Sequence, residues 1–336
     1  MGEQPKTLNF LPSYLLDLIY FLELLIGPHS VLTSTEDDAC LHHYEDCLSD
    51  YAKEEIKRVQ KVLPKNKTLS EMVMPLILAD HEFENFQMTE LLEGQRYLIS
   101  LYKKSPDYTA ASKQYKKFIT KDAQELMGAL MMIVTELERV GFKRFWLEKR
   151  LPQINETIRN YEQQIGTNTL IEKVNEALGE SLLSTQTVYL LSFNVNPRVV
   201  KVGDFMLGSL RLDAHAFTHA LLEGFLNARS IEAALKPFER ALKKNKELIQ
   251  AYRQVKGEYK SLGAYVSSSV KIAFGAYLSE KLGVLEQPQV YLKDKSERAL
   301  LYYDQMLLSP KEKSQSIEAY LIAVVTVVEL HEEKRG

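Results

Sequence analysis

Through its first 180 residues the chain places apolar side chains at helical spacing, and then the pattern breaks. Thr187-Val188-Tyr189-Leu190-Leu191-Ser192-Phe193 is a run of strand formers. Pro197 and Gly203 punctuate the next stretch, in which Arg198 to Val202 is a second strand candidate and Phe205 to Leu212 a third. Helical patterns then return and close the chain. A sequence ordered in this way has one small sheet to build and must bury it against helices. The expected fold is mainly α (α+β), with a small sheet ahead of a helix that Asp213 caps.

The helical stretches have readable ends. Leu11 to Ile26 is apolar but interrupted by Asp17 and Glu23, which suits a core helix and is too short and too charged to span a bilayer. Ser34 or Thr35, followed by Glu36, Asp37 and Asp38, opens a helix expected to run to Leu63, before Pro64. Further helices are expected over Thr68–Leu78, with Pro75 as a kink, over Met88–Lys103, and over Tyr108–Val140, ended by Gly141. Arg144–Gly166 and Thr169–Leu178 come next. Beyond the strands, helices are expected over Ser230–Leu242, Glu247–Tyr259, Tyr265–Leu282, Lys295–Leu307 and Pro310–Glu333.

Composition narrows the function classes. The formal net charge of −3 over 336 residues argues for neither a nucleic-acid partner nor an anionic membrane surface. Cys40 and Cys47 are too few for a disulfide scaffold, and the N-terminal segment lacks the layout of an export signal, so a cytoplasmic protein is expected. No Gly-rich phosphate loop and no Gly-x-Ser-x-Gly elbow occurs in the sequence.

The third strand candidate leads into His215-Ala216-Phe217-Thr218-His219. Histidines four apart lie on one helix face, so both imidazoles can reach one metal ion. The segment resembles the His-Glu-x-x-His zinc helix of metallopeptidases with the glutamate replaced by Ala216. The order of short sheet, histidine helix and further helices is similar to the zincin layout, in its gluzincin branch, over roughly Phe145 to Leu282. This resemblance implies a helical N-terminal region over 1–143 and a zincin-like core with C-terminal helices over 144–336. It implies zinc as cofactor, His215 and His219 as ligands, and an edge strand that binds substrate backbone by strand addition.

The chain departs from that pattern twice. Ala216 stands where the general base belongs, and alanine takes no proton from a zinc-bound water. The third ligand should be a glutamate on the next long helix, and the resemblance puts Ser268 in its place; Glu258 and Glu280 flank it as alternatives. Glu223 shares the face of the two histidines but is expected to sit behind them or at the surface. Loss of both the base and the carboxylate ligand is the mark of a naturally degenerate relative. An engineered inactive variant would lose only the base.

Two other clusters carry histidine. Cys40, His42, His43 and Cys47 have donor types that suit zinc, but four ligands from one continuous helix is not how structural zinc sites are built, and a half-buried amphipathic helix is the simpler reading. Asp80-His81-Glu82-Phe83-Glu84 has no second histidine at a spacing of four. The Lys-rich stretch Lys236–Lys246 is diluted by Glu239 and reads as a solvated helix face. Three functions stand open: an impaired or inactive metallopeptidase-like protein that binds peptide or protein in its cleft, a metal-dependent hydrolase with a relocated base such as Glu223 or Glu258, and a helical interaction protein without metal.

Overall fold

A computed structural model of the chain describes residues 8–27, 34–63, 68–77, 87–94, 121–178, 186–195, 198–202, 205–227, 231–312 and 315–330. It is mostly helical, with one four-stranded mixed sheet. The strands are β1 (Leu8–Pro12), β2 (Gln186–Leu191), β3 (Val200–Val202) and β4 (Phe205–Ser209), in spatial order β1-β2-β4-β3. β1, β2 and β4 are parallel, and β3 turns back antiparallel to form one edge.

β1 is a strand where helix was expected almost throughout, and it takes Leu11 and Pro12 out of the apolar run read as a core helix. Leu8 and Phe10 are buried while Asn9 and Leu11 are exposed, a period of two that belongs to a half-buried strand. Ser13 then caps α1 (Tyr14–Ile26), its Oγ accepting from Leu16 N–H at 3.3 Å. The same chemistry divides the helix expected over 35–63 into α2 (Thr35–Cys47) and α3 (Asp50–Val62), because Ser49 accepts from Ala52 N–H and starts a new helix. α4 (Leu69–Ile77) lies beside α1. The stretch expected over 88–103 is helical at 88–94, and its remainder lies outside the described residues, as do His81 and its neighbours.

α5 (Lys121–Arg139) is closed by Gly141, whose φ of 86° a residue with a Cβ rarely adopts. Beyond it come α6 (Leu151–Tyr161) and α7 (Thr167–Leu178), each preceded by a π turn, Trp146–Arg150 and Glu162–Gly166. The histidine helix α8 (Ala214–Asn227) comes directly after β4. Pro237 interrupts the next stretch with a 3-10 turn at Lys236–Phe238. Then come α9 (Lys246–Gln254), α10 (Leu262–Lys281), α11 (Pro288–Lys295), α12 (Glu297–Leu308) and α13 (Ile317–Leu330). Ser296 caps α12 and so separates it from α11.

The segments on either side of residue 143 share the sheet. Asp17 of α1 is fully buried and accepts from Trp146 Nε1–H at 2.7 Å, Ser192 Oγ–H and Phe193 N–H at 2.9 Å. Asp37 of α2 takes Arg150 and Arg211 at 2.8 and 2.7 Å. Buried side chains from β1 to α13 form one continuous core. No helix among the described residues is long and apolar enough to cross a membrane.

Candidate functional site

α8 starts where the sequence places it, with Asp213 Oδ1 accepting from Ala216 N–H at 2.8 Å. Its buried side rests on the sheet, where Phe217 packs edge-on against Phe10 with ring centres 5.5 Å apart. Two glycines set this close approach. A Cβ on Gly208 of β4 would stand 2.7 Å from the Phe217 ring, and one on Gly224 would stand 2.7 Å from the carbonyl oxygen of Val199, just ahead of β3.

The two histidines of α8 have different surroundings. His215 is exposed. His219 is buried; its Nδ1 hydrogen-bonds with Ser279 Oγ of α10 at 2.7 Å, and its Nε2 is 3.6 Å from Glu223 Oε1 with no hydrogen-bond partner among the described residues. Tyr291 of α11 meets the imidazole edge-on at 4.7 Å and donates its hydroxyl to Glu223 Oε1 at 2.8 Å. Burial lowers the His219 pKa below its usual 6.5; the Glu223 carboxylate opposes that shift and Lys295 adds to it. His219 is therefore a neutral imidazole at pH 7. Burial, together with the adjacent Glu223, raises the Tyr291 hydroxyl.

Among the described residues this donor set falls short of a resident zinc site. A catalytic zinc takes three protein ligands and a structural one four. Here His215 is exposed while His219 is buried, and no three His, Cys, Asp or Glu side chains among the described residues are grouped to hold a metal. Ser268 does not complete the set. α8 and α10 pack antiparallel, with Ser279 opposite His219 and Gly275 against Glu223. Ser268 therefore lies about three turns, ~16 Å, from the level of His219 at 1.5 Å per residue. Glu280 is next to that level, but its carboxylate accepts from the Tyr303 hydroxyl at 2.9 Å.

Cys40 and Cys47 are free thiols, one buried and one exposed, and burial pushes the Cys40 thiol up to about 11. His42 Nδ1 meets the Asp38 carbonyl at 2.6 Å and His43 packs on Tyr44, as an amphipathic helix requires. In the Lys-rich stretch, Lys243 pairs with Glu239 on the surface.

Ser268, Glu223 and Glu258 come together elsewhere, on the wall of a cavity of about 920 Å3. Its other walls are the segment Arg198–Lys201, leading into β3, and Tyr291 and Lys295 of α11. The sequence reading missed Arg198, Lys201, Tyr291 and Lys295. Lys201 carried a signal, since it alternates with Val200 and Val202 and must face the opposite side of the sheet; the others are brought in by tertiary packing. The cavity thus borders a strand edge that is unpaired among the described residues, with charged side chains on its other walls. The chain matches no protein-family model, no curated protein and no solved structure.

Proposed function

We propose that the protein binds an extended peptide along the free edge of β3 and does not hydrolyse it. The observation that carries this reading is that β3, a sheet edge unpaired among the described residues, borders the 920 Å3 cavity. An edge strand offers unpaired backbone N–H and C=O groups to an incoming strand, while pockets beside it take alternate side chains. The absence of hydrolysis is supported by Ala216, which supplies no base where the resemblance expects one. The protein is in this reading a peptidase-like binding protein. A second reading, hydrolysis with a relocated carboxylate, draws on Glu223 and Glu258, which both line the cavity.

Selection from a random-sequence peptide library, followed by amide hydrogen exchange on the complex, tests the proposal. Selected peptides are expected to slow exchange at residues 198–202 and to be recovered at unchanged mass. Slowed exchange confined to other segments would sink the edge-strand reading. Cleavage that disappears in Glu223→Gln would establish the hydrolase instead.

A further inference from the structure

β3 borders two cavities: Lys201 lines only the larger, Val202 only the smaller, and Val200 reaches both. Lys201 is paired with Met206, and Met206 lies against Gly224, so Lys201 is on the face toward α8. Val200 and Val202 are paired with Leu207 and Phe205 and lie on the opposite face. On the α8 side is the 920 Å3 cavity, with Arg198, Lys201 and Lys295 on its wall. All three are exposed, and none forms an ion pair with a carboxylate among the described residues. The three cations share this wall with two carboxylates, Glu223 and Glu258, which leaves an excess of one positive charge.

On the other side is a smaller cavity of about 200 Å3, walled by Val200, Val202 and Leu207 with Tyr20, Leu24 and Met74. Glu23 and Glu71 also reach it, but their carboxylates accept backbone N–H groups, of Ser70 at 2.7 Å and Thr68 at 3.1 Å. This second cavity therefore offers a mostly apolar surface, with Thr68, Ser70 and Asn194 also on its wall.

A strand added to β3 continues the pleat, so its successive side chains point alternately to the two faces. We infer that the ligand is an acidic extended segment in which every second residue carries a carboxylate and the residues between are apolar. The carboxylates enter the large cavity and take charge-assisted hydrogen bonds from Arg198, Lys201 and Lys295. The apolar side chains fill the small one. This inference rests on the reading that the β3 edge takes a peptide, and adds to it the register and chemistry of that peptide.

The test is fluorescence anisotropy at near-physiological salt with three short, end-blocked, fluorescein-labelled peptides: alternating Glu-Val, alternating Lys-Val, and a block peptide with all Glu before all Val. Each is titrated with the full chain and with the variant Arg198→Glu/Lys201→Glu/Lys295→Glu, whose changes are at exposed positions and whose fold is checked by urea unfolding. The alternating Glu-Val peptide is expected to bind at least about tenfold tighter than either other peptide. In the variant, the preference between Glu-Val and Lys-Val is expected to reverse. Equal or tighter binding of Lys-Val or of the block peptide to the unaltered chain overturns the proposed pattern while leaving the edge-strand reading in place. Binding of none of the three overturns both.

Discussion

His219 is a buried imidazole that ties two helices together. Its Nδ1 joins α8 to α10 through Ser279, and its Nε2 faces Glu223 from within the protein. Because burial depresses its pKa, the unfolded chain takes up a proton that the folded chain resists. The stability it contributes is fully present above the unfolded value of 6.5 and is lost as pH falls below it, toward the lowered folded value. The midpoint of urea unfolding is therefore expected to drop between about pH 7.5 and about pH 5.5, and to drop less in His219→Asn, which keeps a polar partner for Ser279 but has no proton to gain. An equal pH dependence in the two proteins would remove His219 from this role. The spacing of His215 and His219 was plain in the sequence. Their unlike surroundings were not, because they depend on where α10 packs, and helical periodicity carries no information about that.

Among elements, β3 is the one on which the proposed peptide binding depends. It is three residues long, carries a lysine and forms an edge, all features that keep sheet edges from pairing indiscriminately. Its position is fixed from behind by Gly224. A Cβ there would stand 2.7 Å from Val199 O, a backbone atom that moves only if the strand moves. Gly224→Ala would gain ~1 kcal/mol in helix propensity. The overpacking it creates costs ~1–3 kcal/mol, so a net loss is expected in urea unfolding, together with weaker binding of β3 ligands. A more stable variant would show that the strand is free to yield.

The strands β2, β3 and β4 and the start of α8 were legible, because strand formers, Pro197 and Asp213 act locally. β1 was hidden inside an apolar run in which the signal of Leu8 and Phe10 was diluted by the α1 residues beyond. Ser49 and Ser296 are ordinary polar residues on paper and become helix caps only when the backbone turns there.

For the whole molecule, the sheet is the joint between the ends of the sequence. β1 supplies one strand, α1 places Asp17 against Trp146, Ser192 and Phe193, and Asp37 holds Arg150 and Arg211. Removing Asp17 alone would leave three buried donors unpaired, at ~1–3 kcal/mol each. Residues 144–336 expressed alone are accordingly expected to show no cooperative thermal transition by near-ultraviolet circular dichroism, and to regain one when residues 1–143 are supplied in trans. A sharp transition for the isolated fragment would restore a boundary at residue 143. The same pairing sets a clock on synthesis. Leu8 has its partner in Gln186, so the first strand leaves the ribosome long before anything exists for it to pair with. At ~5–20 residues per second the wait is on the order of ten to forty seconds. During that time the apolar face of α1 stays uncovered by the sheet, and a nascent chain in that state is the form most exposed to aggregation and most in need of a chaperone.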